Sequence, residues 1–168
     1  EFKSALQEQP GNREARLMLG KAYLAGDAYA DAEKELSKAR EQGASNDETL
    51  PALAKAYLKT AQAQKVLDLT IPGSSLSPRS IASLQVSRAA AFMSLDKRKE
   101  AEAALQIANA ADAEFPDALL FSAKLALFDK NKAEALRLIE VALHKDPKFV
   151  DALYMKAALL LQDSKVEE

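Results

Sequence analysis

Residues 19–39 read LGKAYLAGDAYADAEKELSKA, and this stretch decides the fold. Leu19, Gly20 and Tyr23 have the spacing of residues on one face of a helix. A second helical face follows, formed by Ala32, Leu36 and Ala39. Between the two, Gly26-Asp27 is typical of a turn, and Asn12 and Asp27 are suitable N-caps for the two helices. The stretch therefore predicts a hairpin of two antiparallel helices.

The hairpin pattern returns along the chain. Leu53, Ala54 and Tyr57 repeat the places of Leu19, Gly20 and Tyr23 at a shift of 34 residues. The third hairpin lies 69 residues after the first, so one extra residue has been absorbed between them. We predict one all-α array over 1–168, a right-handed superhelix of about nine helices. Its units are the end of a truncated repeat at 1–10, repeats at 13–46, 47–81, 82–115 and 116–149, and a partial repeat at 150–168.

Composition limits what the chain does. Its 23 basic and 25 acidic residues give a net charge of −2, which argues against nucleic-acid binding. Cysteine is absent, so disulfides and thiolate metal sites are excluded. The apolar runs are shorter than the roughly 18 residues of a membrane span. The chain starts at Glu1 without a methionine, so we expect a longer parent protein.

The stretch 69–78 interrupts the pattern. Pro72 and Gly73 favour ending a helix, so the second helix of the second hairpin is predicted to be short, roughly 62–70. Ser77 is a suitable N-cap, and Pro78 suits the first position of the next helix. We predict that three aliphatic residues cover the edge of the third hairpin: Leu69, Ile71 and Leu76. The alternative is a hinge between two halves, 1–70 and 78–168.

The motif Leu19-Gly20-x-x-Tyr23, the small and apolar residues of the second helix and the 34-residue period together resemble the tetratricopeptide repeat (TPR) family. Arg16 and Gln85 depart from it, since they stand where a large apolar residue is usual. The resemblance implies a solenoid of helical hairpins that binds a protein or peptide and is not an enzyme.

A narrower resemblance covers 14–68, which includes DETLPALAKAYL at 47–58 and AQKVLD at 63–68. This stretch resembles the TPR lipoprotein of bacterial exosortase (PEP-CTERM) systems. The resemblance implies a bacterial protein of the envelope, periplasmic or envelope-associated, in exopolysaccharide or protein sorting. A cytoplasmic location is the alternative.

In TPR architecture the first helices of the hairpins line a concave face. The exposed side of these helices is predicted to carry the partner-binding residues Leu17, Lys21, Leu24, Lys55, Leu58, Lys59, Val86, Met93, Lys124, Leu127, Phe128 and Tyr154. Lys21, Lys55 and Lys124 occupy equivalent places. They indicate a groove for an extended or helical peptide, with ammonium groups binding acidic residues or a terminal carboxylate. The alternative is a row of solvated lysines. The family's carboxylate clamp also needs asparagine partners, which these faces lack.

No residue pattern indicates catalysis. His144 is the single histidine, and its place in the last turn of a helix suits a cation near the helix dipole. We therefore expect no enzymatic activity, no cofactor and no metal. A self-associating array, stacked through apolar faces at its ends, is the alternative to the binding scaffold.

Overall fold

The computed structural model describes residues 2–70 and 76–164, and every regular element in these ranges is an α-helix. There are ten, one more than predicted: α1 Phe2–Glu8, α2 Arg13–Ala25, α3 Tyr29–Glu41, α4 Asn46–Lys59, α5 Ala63–Asp68, α6 Pro78–Ser94, α7 Arg98–Ala111, α8 Pro116–Phe128, α9 Lys132–Lys145 and α10 Val150–Ser164. Consecutive helices pair as hairpins: α2 with α3, α4 with α5, α6 with α7 and α8 with α9. The predicted all-α array of hairpins is confirmed.

Small residues allow the paired helices to approach closely. Gly20 of α2 is buried against α3, and a Cβ built on it would lie 2.7 Å from Cγ of Leu36. The equivalent residues Ala54, Ala89 and Ala123 are fully buried in the later hairpins. Larger side chains at these places would separate the helices, which explains why the sequence repeats small residues there.

The turn inside each hairpin has one conformation, repeated four times. A residue with positive φ stands at equivalent places 34 or 35 residues apart: Asp27, Ala61, Asp96 and Lys130. In each turn the next residue donates its N–H to a carbonyl five residues earlier, as from Ala28 to Tyr23 at 2.9 Å. This is the Schellman ending of a helix. Asn12 does cap α2 by accepting from the N–H of Ala15. Asp27 does not cap α3, because it forms the left-handed turn itself.

The second hairpin is asymmetric, as the sequence predicts. α5 has 6 residues, whereas the second helices of the other hairpins have 13 or 14. Leu69 and Leu76, on either side of the interruption, are both buried in the main core. Arg88 of α6 donates from Nη2 to the carbonyl oxygen of Leu69 at 2.8 Å. Ile71, the third aliphatic residue of the prediction, lies outside the described residues.

The start of α6 corrects one repeat boundary. Ser77 accepts from the N–H of Ser80, and Pro78 is the first residue of the helix. The boundary predicted between 81 and 82 therefore falls inside α6. It was placed by counting 34-residue periods, whereas capping and proline geometry fix the helix start.

The core is continuous through the first half of the array. One cluster joins residues from α2 to α6, with Leu17, Leu50, Leu53 and Leu84 fully or almost fully buried. Arg16 stands where the family usually has a large apolar residue. Its charge is matched by an ion pair, with Nη1 of Arg16 2.6 Å from Oε2 of Glu35. Smaller clusters follow along α6–α10.

Candidate partner-binding groove

A groove of about 810 Å³ runs along the first helices of four successive hairpins, α2, α4, α6 and α8. Its lining combines apolar and charged side chains. The lining residues are Lys21, Leu24, Asp47, Glu48, Pro51, Ala52, Lys55, Leu58, Lys59, Ser77, Arg79, Ser80, Ser83, Val86, Ser87, Ala90, Phe115, Asp117, Phe121 and Lys124. We call this surface the groove.

The structure brings seven of the twelve predicted binding residues together in the groove. They are Lys21, Leu24, Lys55, Leu58, Lys59, Val86 and Lys124. Lys21, Lys55 and Lys124 share one repeat place, and Leu24 and Leu58 share another, so the repeat geometry aligns these five on one surface.

The other five predicted residues lie elsewhere. Leu17 was expected to be exposed, but it is fully buried, because α2 is covered by both α3 and α4. Met93 and Leu127 are partly buried against neighbouring cores. Phe128 and Tyr154 are strongly exposed outside the groove. The ring of Phe128 lies under the guanidinium of Arg98, 5.2 Å from its centroid.

The basic side chains of the groove have different surroundings. Lys21 forms an ion pair with Glu48 of the next hairpin. The ammonium group of Lys59 lies 5.9 Å from the ring centroid of Tyr29, and the guanidinium of Arg79 lies 5.4 Å from that of Phe115. Within the described residues, Lys55 has no carboxylate at ion-pair distance. The predicted row of lysines is therefore electrostatically uneven.

Asp117 stands in the first turn of α8 and contributes an acidic group to the groove. Surrounding protein atoms displace water from its carboxyl group, and this desolvation raises its pKa. The positive charges of Lys55 and Arg79 oppose the rise, and the charge of Asp151 adds to it. The charges of Lys55 on α4 and Arg79 on α6 thus act on Asp117, although no ion pair to Asp117 is formed within the described residues.

Asp47 holds the start of α6 against α4. Its Oδ1 accepts from the N–H of Ser77 at 2.6 Å, and its Oδ2 accepts from Oγ of Ser77 at 3.0 Å. Oγ of Ser80 donates to the main-chain oxygen of Asp47 at 2.9 Å. The bond from the Ser77 N–H is the main cause that lowers the pKa of Asp47. We call these three residues the α4–α6 clasp.

Sequence reasoning missed the acidic and aromatic members of the groove. Glu48 and Asp117 occupy equivalent repeat places, 69 residues apart, as do Lys55 and Lys124. The same comparison of repeats would therefore have found both acids. No comparable signal marks Arg79, Phe115 or Phe121, because they reach the groove through the local geometry of α6 and α8.

The described residues contain no group of three or more His, Asp or Glu side chains placed to hold a metal ion. His144 is exposed near the end of α9. Across residues 2–70 and 76–164, none of the helices has both the length and the apolar character needed to cross a membrane. The lining of the groove supplies charged, hydroxyl and apolar groups for binding.

Comparison with known proteins supports the repeat assignment. The tetratricopeptide repeat family model matches residues 1–56. A search of curated protein sequences finds no match for this chain.

Solved TPR proteins have the same fold. TTC0263, a thermophilic TPR protein of Thermus thermophilus, aligns with a TM-score of 0.70 and 22% identity over 95% of this chain and 87% of its own. MamA aligns with a TM-score of 0.63 and 22% identity over 88% and 85%. YrrB, described as a TPR protein with an unusual peptide-binding site, aligns with a TM-score of 0.57 and 18% identity over 93% and 80%. The chain thus has the tetratricopeptide-repeat fold, and its first 56 residues carry the sequence pattern of the family.

Proposed function

We propose that this chain is a non-enzymatic scaffold that binds a peptide or protein segment in the groove. The observation that carries the proposal is the groove itself. Four hairpins contribute equivalent residues to one continuous surface, with both apolar and charged side chains in its lining. Such a surface buries apolar side chains of a segment while its charged groups fix the register.

Peptide selection tests the proposal. A displayed library of random peptides is selected on the chain, and the enriched peptides are measured against two variants. Ala90→Trp fills the middle of the groove, and Ala110→Trp places the same bulk on an exposed part of α7. We expect affinity to be lost with Ala90→Trp and kept with Ala110→Trp. Equal binding to the two variants, both shown by melting to be folded, would place the site elsewhere.

We further propose that the scaffold works in a bacterial envelope system of the exosortase (PEP-CTERM) type. The support is the resemblance of residues 14–68 to the TPR lipoprotein of those systems. The expected location is periplasmic or envelope-associated. Fractionation of the tagged parent protein in its host tests this, followed by affinity capture and mass spectrometry of bound proteins. Recovery only in the cytoplasm would overturn the proposed location.

Self-association is the second candidate, and α10 favours it. This helix exposes a series of large apolar side chains: Val150, Leu153, Tyr154, Leu160 and Leu161. Light scattering over a range of concentrations tests this candidate. A mass that stays at that of one chain contradicts it, and a rising mass that Leu153→Glu reverses supports it.

A further inference from the structure

Two series of charged residues run along the first helices of the hairpins. The acidic series occupies one repeat place. That place carries an acid at Glu14, Glu48, Asp117 and Asp151, and the uncharged Ser83 in the third hairpin. The basic series occupies the place seven residues later in each helix. That place carries a lysine at Lys21, Lys55 and Lys124, and an alanine at Ala90 and Ala158. Both series are interrupted in the third hairpin, where Ser83 and Ala90 are uncharged.

The first two hairpins show how the series are matched. Lys21 of the first hairpin forms an ion pair with Glu48 of the second, and within the described residues this is the one pair of the register at ion-pair distance. By repeat place, Lys55 corresponds to Ser83, which carries no charge. Asp117 is likewise preceded by Ala90 in place of a lysine. The third hairpin therefore leaves a lysine without its acid.

The groove shows the effect of this gap. Lys55 has no carboxylate at ion-pair distance within the described residues, and its charge acts on Asp117, two hairpins away. Ser83, Val86 and Ala90 of the third hairpin line the intervening surface. A carboxylate brought to Ser83 would find an unmatched ammonium group beside apolar side chains.

The charge of the whole groove agrees with this. Its lining has five basic residues and three acidic ones, although the chain as a whole has a net charge of −2. Glu48 is already paired with Lys21, which leaves four basic residues against Asp47 and Asp117. The remaining charge of the groove is therefore positive, and its basic groups stand on α4, α6 and α8.

We propose that the occupant of the groove is an acidic segment of a partner protein, and that one of its carboxylates binds Lys55 at the place where Ser83 interrupts the acidic series. This inference rests on the proposed function, because it names the class of partner for the same groove. Lys55 of α4 then binds the carboxylate, and α6 provides the uncharged Ser83 and the apolar contact of Val86.

The test uses three labelled peptides of about ten residues, which differ only in having glutamate, glutamine or lysine at alternate positions. Fluorescence anisotropy measures their binding to the full chain. We expect the glutamate peptide to bind most tightly, and we expect this preference to shrink as salt rises from about 0.05 M to about 0.3 M. Lys55→Gln should weaken that peptide about fivefold. Lys21→Gln, which removes a lysine already paired with Glu48, should have a smaller effect.

Ser83→Glu is the decisive variant, because it restores the missing acid within the chain. We expect it to weaken the glutamate peptide about tenfold, whereas Ser83→Gln, of similar size and no charge, should keep most of the affinity. Melting curves confirm that both variants are folded. Equal affinities of the two would overturn the inference.

Failure of the inference is distinct from failure of the proposed function. Preference for the glutamine or lysine peptide, lost with Ala90→Trp, would overturn the acidic partner and leave the groove as a binding site. Absence of binding for all three peptides, together with no enrichment in the peptide selection, would overturn both.

Discussion

The joint between the second and third hairpins and the joint between the third and fourth differ in an unexpected way. The first is interrupted in sequence, with α5 cut to 6 residues and the following residues out of the repeat pattern. The second keeps the regular spacing of the repeat. Packing is nevertheless denser at the interrupted joint.

At the interrupted joint, large aliphatic side chains from both hairpins are buried in one cluster. Leu69 and Leu76 are buried in the same cluster as Leu84 of α6, and Arg88 bonds to the carbonyl oxygen of Leu69. The α4–α6 clasp adds hydrogen bonds between the two hairpins. The hinge alternative is not supported, because a hinge has few buried contacts.

At the regular joint, α7 and α8 contact each other at few places. The buried members of its clusters are mostly alanine, with Leu105 and Phe115 as the large ones. Larger side chains pack against them only partly buried: Val86, Phe92, Met93, Phe121 and Leu125. A cleft of about 420 Å³ opens beside it, lined by polar residues such as Gln106, Asn109 and Ser122. The comparison shows that side-chain volume, and not regular spacing, decides how firmly neighbouring hairpins are joined.

Truncation of one leucine at each joint should give the largest effects. We expect Leu84→Ala to lower the free energy of unfolding by about 3 kcal/mol, because Leu84 is fully buried and its removal leaves a cavity. Leu105→Ala should cost less, about 2 kcal/mol, because Leu105 borders the open cleft. Urea unfolding of both variants measures the difference. A larger loss for Leu105→Ala would reverse the order of the two joints.

The contact between Gly20 of α2 and Leu36 of α3 is tightly packed, and a variant there can be compared with those at the two joints. Gly20→Leu should cost about 2 kcal/mol, because any side chain there meets Leu36. Lys21→Leu, one residue further along and partly exposed, should change stability by less than about 0.5 kcal/mol. Melting of the two variants side by side checks the assignment. Similar shifts would mean that this face of α2 is not the tight one.

Asp47→Asn should weaken the interrupted joint by about 1 kcal/mol at neutral pH, a modest value because the carboxylate is partly exposed. The folded state lowers the pKa of Asp47. Its contribution is therefore complete above the unfolded value of about 3.9 and is lost as pH falls through the folded value. Stability measured from pH 7 downwards should show the variant and the original chain converging. A difference that stays constant to low pH would contradict this role.

Arg98→Ala should have the smallest effect, and it acts at the regular joint. Nη2 of Arg98 lies 2.5 Å from Oδ2 of Asp129, and the group also pairs with Glu102. Because these ion pairs are exposed, we expect only a small drop in melting temperature, which shrinks at high salt. Amide exchange should rise in α8 and stay unchanged in α4. An equal rise in both helices would show that the joints are not independent.

The repeat pattern predicted most of the fold because each hairpin is specified locally. The signals used are all local, because each acts within a few residues of its own helix. They are the spacing of apolar residues, the capping residues Asn12 and Ser77, and the helix-disfavouring residue types of Pro72 and Gly73. These signals predicted the hairpins, the short α5 and the start of the next helix. They failed at Asp27, whose left-handed conformation was not read from its residue type.

The groove was only partly predictable, since exposure depends on neighbouring helices. Lys21, Lys55 and Lys124 were found because repeat places align them on one surface. Leu17 was misplaced because its burial depends on packing against other helices, which the periodicity of α2 alone does not show.

The sequence alone determined that the chain is an array of helical hairpins with a row of lysines on its first helices, because both follow from local periodicity. Only the tertiary structure decided which lysines are paired, which joint is dense and where the groove is open. Those properties depend on side chains from different hairpins meeting across distances of about 30 residues in sequence. Their fit is set by volume and charge at the contact, which a periodic pattern does not specify.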